Sequence, residues 1–564
     1  MKPVLGAVMS GAIGPGRGLL GINIQGRHNP KQKESYRYEP GDGVLEFANR
    51  EDQSDVRDGT DYSANGELAF PVGTGDLKLT GFVVHTDRTE SETSREYEDL
   101  TSVDPADLTV LTPQFEDISQ DNYTLAAAIT QKMFGGETGF SGDFTRFSED
   151  VVSTEVETEY DPYPDVDDFG GTRTFSDTVD RAWSLRIDHK HPIGMATLEI
   201  GADYNNKKRD GDIAEAEIDS PGDAYPDPEP VTGGFYTIEE ERIDPFAMVS
   251  GTSGAFSWEA GMRYEHTTSK IVDRVTDISG KADYGFILPS GHIRFQLNDQ
   301  DRISLSAVRT VRRPNFDSLA PVLLEEEPID ESDFLGNPDL KPENAWGFDI
   351  GYERRLGARG VSGVNFFYRD ISDLIELTST GEVSSSGDGL VFQPRNVGNG
   401  QVWGVEFDFS APLTVIGLPN TGLFLNYSWL NSSLTDPVDG RDRRFNDQAK
   451  SVLNVGFIHD VPEWGASFGT SYRKQGSAFS QVQGETVKTT YGGDLEVFVE
   501  KRFGEHFTLR LTGSNLLDAH KDEVFNKWDT IADQLSGDVD ALDEFERETE
   551  KAGPVFQLVG RVSF

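Results

Sequence analysis

The chain ends on Val555-Phe556-Gln557-Leu558-Val559-Gly560-Arg561-Val562-Ser563-Phe564. Phe556, Leu558, Gly560, Val562 and Phe564 fall on one side of a period-two pattern, and Gln557, Val559, Arg561 and Ser563 on the other. Such a strand suits a sheet with hydrocarbon on one face and water on the other. The pattern recurs upstream. Phe507, Leu509 and Leu511 alternate with Thr508, Arg510 and Thr512, and Trp464, Ala466, Phe468 and Tyr472 with Ser467, Gly469, Ser471 and Arg473. Trp403, Val405, Phe407 and Phe409 alternate with Gly404, Glu406, Asp408 and Ser410. In a soluble two-layer fold the apolar face would be core, so alternation alone leaves both architectures open.

The connections separate them. Short turns join strand candidates in pairs: Met133-Phe134-Gly135-Gly136, His191-Pro192-Ile193-Gly194 and Gly251-Thr252-Ser253-Gly254. The beat recurs at Asn298-Asp299-Gln300, Leu356-Gly357-Ala358-Arg359, Val461-Pro462-Glu463 and Phe503-Gly504-Glu505. Acidic stretches near residues 88–118, 149–177, 209–236, 313–342 and 519–553 separate the pairs and read as long loops. Short turns on one side and long loops on the other are the arrangement of a transmembrane barrel, whereas sandwiches and propellers show less disparity. The expected fold is all-β: one large transmembrane antiparallel β-barrel of about 20 to 22 strands, spanning residues 1–564 as a single domain. Trp464, Tyr472, Tyr427 and Trp429 lie near strand ends, as a girdle at the lipid–water boundary requires.

Composition narrows the function classes. No stretch approaches the roughly 18 to 20 unbroken apolar residues of a spanning helix, so a helical membrane protein is excluded. The 564 residues include 59 Gly and 35 Phe, a turn-rich, aromatic-rich balance that favours strands. With 98 acidic against 51 basic residues the formal charge is −47, which leaves no basic footprint for nucleic acid. The acidity fits a cation-attracting mouth and, more plainly, the solubility of surface loops. Cysteine is absent, so disulfides, thiolate metal sites and thiol nucleophiles are too. Residues 1–12 carry one Lys and a Gly-interrupted apolar run, and read as a strand that turns at Gly14-Pro15-Gly16-Arg17, not as a signal peptide.

Three motifs then resemble the TonB-dependent outer-membrane receptors. Asn337-Pro338-Asp339-Leu340-Lys341-Pro342-Glu343 is similar to the family's Asn-Pro-x-Leu-Lys-Pro-Glu segment, here carried by Asn337, Pro338, Leu340, Lys341, Pro342 and Glu343. Asn396-Val397-Gly398-Asn399-Gly400 with Trp403-Gly404-Val405-Glu406 resembles its Gly-hydrophobic-Glu strand, on Gly404 and Glu406. Asn515, Leu516 and Asp518 in Gly513-Ser514-Asn515-Leu516-Leu517-Asp518 resemble its Asn-Leu-Leu-Asp end of the penultimate strand, and the terminal Phe564 matches substrates of the outer-membrane assembly machinery. The resemblance implies import of a scarce ligand, such as a metal chelate or an oligosaccharide, at the Gram-negative outer membrane. Expected partners are outer-membrane lipid and the barrel assembly machinery, with a monomeric state. Family members also carry a signal peptide, a TonB-contacting segment and a plug. Strand-like sequence from the first dozen residues leaves them no room, so the inner-membrane TonB complex is expected as a partner only where a plug is present.

Glu406, Asp408, Arg473, Arg510 and Arg561 fall on the polar faces and are expected to line the lumen, in contact with a plug more than with ligand. No catalytic set or cofactor motif emerges, and the ligand-binding residues stay unassigned. His189-Lys190-His191 reads as turn histidines more readily than a metal pair, and Asp161 to Asp168 lacks the Gly and terminal Glu of a calcium loop. Spacings Ile531/Leu535 and Leu542/Glu546 point to short helices in the last long loop. Two other readings remain: the same barrel as a plugless passive channel, and a soluble secreted β protein that binds glycans or acts as an enzyme.

Overall fold

Strand alternation carries through nearly the whole chain in the computed structural model, which describes residues 2–41, 44–324, 332–387 and 389–564. Among the described residues twenty-one strands form one continuous antiparallel ladder, from Val4–Ile13 to Val555–Val562, inside the expected range. The first and last of these run in the same direction and no ladder joins them; the hydrogen-bonded ring closes higher up, where Gln32 to Tyr38 pair with Lys551 to Phe545. The N-terminal segment is a strand that turns at Gly14, where φ is +58°, as expected.

Exposure identifies the solvent on each face. Leu125, Trp183, Leu185 and Met262 are all more than half exposed, while Asp244, Asp333 and Glu343 are buried. This inverts a soluble protein, whose large apolar side chains hide and whose charges face out. The outward residues form a band that only hydrocarbon can cover, and the soluble secreted reading fails on this point. Trp464 lies at the short-turn end of that band, and Tyr427 and Trp429 at its loop end, all exposed.

The strands overshoot the membrane. Leu45–Val72 and Val166–Ile193 each run 28 residues, where about 9 to 11 suffice to cross. Most of the acidic stretches near 88–118, 149–177 and 209–236 are therefore strand, not loop. The connections shrink to residues 98–107, 161–165 and 219–228. Charge does not break these strands because partners stand opposite: Arg57 Nε lies 2.9 Å from Asp55 and 3.2 Å from Glu90 on the neighbouring strand.

The last acidic stretch splits the same way. The expected helix forms at Ile531–Ser536, with Thr530 accepting from the Asp533 N–H and Gly537 left-handed at φ +64°. The second, across Leu542 and Glu546, does not form. Glu544–Lys551 is a strand, because Glu544, Glu546, Glu548 and Glu550 recur every second residue and all meet cations on one face.

The described parts of the stretch 313–342, residues 313–324 and 332–342, turn inward. Asn315 caps the single turn Phe316–Leu319, and Leu319, Ala320, Val322 and Leu340 bury against Tyr236, Ile238 and Ile271 on the lumenal side of the wall. Asp333 and Phe334 pair in parallel with Val391 and Phe392, an exception to the antiparallel rule.

Candidate functional site

Above the membrane, the inner wall forms a vestibule whose hub is Arg37. Its Nη2 lies 2.6 Å from Glu51 and its Nη1 2.7 Å from Glu96. Its Nε stands 3.9 Å from Glu546 and 4.0 Å from Glu544, so three strands and the last extracellular hairpin meet on one guanidinium. Burial works against the Arg37 charge, yet Glu96, Glu51 and Glu546 together hold its pKa above the ordinary value. At Glu96 burial wins instead and raises the carboxyl, with Arg37 opposing it.

Beside the hub lies a polar cavity of about 330 Å³ lined by Asp55, Glu92, Glu523, Glu548 and Glu550 with Lys31, Lys33, Arg57, Lys521 and Gln53. Lys31 pairs with Glu550 and Lys33 with Glu548, each at 3.2 Å, and Lys521 with Glu523 at 2.6 Å. Glu92 is left with Gln53 as its hydrogen-bond donor, and burial raises its pKa. The lining offers alternating donors and acceptors with one carboxylate in surplus. Its chemistry suits a polar, uncharged or cationic guest over an anion.

The segment 337–343 meets the strand Leu390–Leu413 at Pro394 and Asn396. Asn337 Nδ2 donates to the Pro394 carbonyl at 2.9 Å. Asn396 Oδ1 accepts from the Lys341 N–H at 2.9 Å, while its Nδ2 donates to the carbonyls of Lys341 at 3.0 Å and Asp373 at 2.7 Å. Glu343 accepts from the Ile375 N–H at 2.8 Å. Asn515, left-handed at φ +52°, accepts from the Ala519 N–H at 2.7 Å and donates to the Gly553 carbonyl at 3.0 Å, stitching the last two strands at their upper ends. Asn337, Asn396 and Asn515 therefore fasten loops to strands through backbone contacts, and Glu343 adds a pair with Arg312 at 3.4 Å.

Of the residues expected in the lumen, Glu406 accepts from Asn365 at 3.2 Å and Asp408 from Asn426 at 2.5 Å. Arg510 stacks on Phe498 at 3.9 Å. Arg473 sits opposite Asn454 and Asp494, and Arg561 opposite Thr508. They are spread around the wall and converge on no common point. Among the described residues no group of three metal-ligating side chains forms. His189 and His191 lie on a strand, not in a turn, with ring centres 5.7 Å apart and Thr138 hydrogen-bonded to His189. Sequence reading missed the hub and the cavity, although the even spacing of Glu544 to Glu550 was the available signal.

An inverted barrel with short turns below, tall charged walls above and an inward-folded loop defines a transmembrane protein of the bacterial outer membrane. The TonB dependent receptor-like β-barrel family model matches residues 47–516, and the chain belongs to that family. Among solved structures it is similar to the ferric citrate transporter FecA in its unliganded form, at 12% identity over 94% of this chain and 78% of that one, with a TM-score of 0.52. It is also similar to the copper transporter OprC, at 12% identity over 92% and 80% with a TM-score of 0.53. The siderophore receptor PiuA from Acinetobacter baumannii matches at 9% identity over 95% and 86%, with a TM-score of 0.52. At these identities the likeness concerns the fold.

Proposed function

We propose that this receptor barrel takes up a scarce polar ligand, a metal chelate or an oligosaccharide, which it first holds in the vestibule around Arg37. The observation that carries this reading is the cavity beside Arg37, walled by paired Lys and Glu side chains. Its surplus carboxylate favours neutral or cationic chelates and uncharged sugars over anionic chelates. The domain reading follows: residues 1–564 act as the barrel, and energised release needs a plug and the inner-membrane TonB complex. The barrel assembly machinery would insert it, as a monomer. Glu406, Asp408, Arg473, Arg510 and Arg561 then serve the plug interface.

The test is uptake by cells expressing the receptor, with radiolabelled iron chelates of neutral and anionic type and linear maltodextrins as probes. Accumulation of a neutral probe that stops when the energy-coupling complex is deleted supports the reading. Accumulation that survives the deletion favours a passive channel, a reading supported by the inward packing of Leu319, Ala320, Val322 and Leu340, which would act as a constriction. Failure of every neutral probe alongside uptake of anionic ones would overturn the vestibule assignment.

A further inference from the structure

Outside the barrel, where the lipid-facing band meets the extracellular wall, three cations stand side by side. Arg146, Arg181 and Lys208 occupy one row of three adjacent strands, each directly opposite the next. Alternation fixes their direction: Trp183, Leu185 and Ile187 share the Arg181 face and are 53%, 57% and 47% exposed to lipid. Phe144 and Trp183 stack immediately below the row, with ring centres 4.4 Å apart. Aromatic pairs of this kind mark the hydrocarbon boundary, so the row lies at headgroup height.

Like charges placed opposite one another destabilise a sheet, and this chain carries a net charge of −47. Asp210 lies 2.9 Å from Arg181 and 3.2 Å from Lys208, and Glu239 stands opposite Lys208 on the next strand, so two carboxylates face three cations. Arg146 makes no hydrogen bond or ion pair among the described residues, leaving a local surplus of positive charge. Four residues further along the strands the same face turns acidic, with Asp150, Asp177 and Asp212 in direct register. The sign changes within about 13 Å, at roughly 3.3 Å per residue. An anionic group is thus welcome at one height only, just above the apolar band.

We infer that this row is a docking surface for the phosphorylated glycolipid of the outer leaflet, with Arg146, Arg181 and Lys208 receiving its headgroup phosphates and Phe144 and Trp183 lying against its acyl chains. Guanidinium and ammonium groups bind phosphate oxygens through charge-assisted hydrogen bonds, and basic patches beside membrane-spanning segments select anionic headgroups. Barrel lipid then holds one fixed position on the strands Gly136–Tyr160, Val166–Ile193 and Ala196–Ile218.

The test titrates the detergent-purified chain with fluorescent bisphosphorylated lipid A, and with the same lipid dephosphorylated. The Arg146→Gln/Arg181→Gln/Lys208→Gln variant should bind the bisphosphorylated lipid roughly tenfold or more weakly and lose discrimination between the two lipids. Heat-modifiable gel migration reports whether the variant is folded. If it is not, Arg146→Gln decides alone, because that side chain makes no hydrogen bond or ion pair among the described residues; about threefold weaker binding is expected. Lys207→Gln, on the opposite face of the same strand, should leave binding unchanged. Equal affinity of wild type and variant, no preference for the phosphorylated lipid, or an equal loss in Lys207→Gln would each overturn the inference.

Discussion

Replacing Arg37 by Gln removes the cation on which Glu51, Glu96, Glu544 and Glu546 converge. The Arg37 side chain is 16% exposed and those of Glu51 and Glu96 are 9% and 23% exposed, so the group lies between a surface pair and a buried one. Breaking a fully buried pair costs about 3 to 5 kcal/mol and an exposed one about 0 to 1, which places this change near 2 to 3 kcal/mol. The cost should fall on the pairing of Gln32 to Tyr38 with Lys551 to Phe545, which closes the ring above the membrane. Hydrogen exchange resolved by peptide should therefore show roughly 30- to 150-fold faster opening of these two segments, with the membrane strands unchanged. Acidification adds a second signature: burial already raises the Glu96 carboxyl, and protonating it relieves its repulsion with the neighbouring carboxylates, so the difference from wild type should shrink as pH falls from neutral. Unchanged protection, or a uniform loss throughout the barrel, would refute Arg37 as the local hub.

Asn396→Ala removes three hydrogen bonds to the backbone of Lys341 and Asp373, and should cost about 2 kcal/mol locally; hydrogen exchange resolved by peptide should then quicken around residues 339–345, with no change at the short turns. Gly404→Ala places a Cβ 2.6 Å from the Trp429 carbonyl and 2.7 Å from the Phe367 ring, and about 1 to 3 kcal/mol should appear as a lower gel-shift unfolding temperature. Gly422→Ala, with nothing within 4 Å, serves as its neutral counterpart. Burial raises the carboxyls of Glu92, Glu96, Glu116 and Glu548, so their folded state binds protons more readily than the unfolded chain. The vestibule should accordingly gain stability as pH falls from neutral toward the unfolded value of 4.5 and lose it as pH rises through the folded values; hydrogen exchange of residues 544–551, corrected for intrinsic rate, should slow on acidification.

Period-two alternation made the barrel legible because one face must meet hydrocarbon, and a strand such as Val555–Val562 has no other way to satisfy both neighbours. The same rule was harder to see above the membrane. There both faces are polar, alternation is between charges, and a run such as Glu544-Phe545-Glu546-Arg547-Glu548 reads as loop or helix unless the partners across the sheet are known. Those partners lie far off in sequence: Lys33 and Glu548 are matched by ring closure and by nothing local. The motif residues were legible as a pattern but not as a role. Asn396 and Lys341 meet across a 55-residue separation, and only the folded wall shows that the contact is a backbone clamp.

The two charge systems also differ in what they demand. Inside, most cations of the vestibule stand within 4 Å of carboxylates, so the wall is held by its own residues and a guest competes for bonds already made. Outside, Arg181 and Lys208 share Asp210, and Arg146 beside them makes no hydrogen bond or ion pair among the described residues. Since like charges in register cost stability and Asp210 and Glu239 offset only two of the three cations, a lipid phosphate at this row supplies the remaining counter-charge. The barrel thus completes its electrostatics with its own acids on the ligand side and with lipid on the other. Removing lipid should consequently destabilise the strands around Arg146 and Arg181 while leaving the Arg37 hub intact, and peptide-resolved exchange in lipid-free detergent against lipid A micelles separates the two.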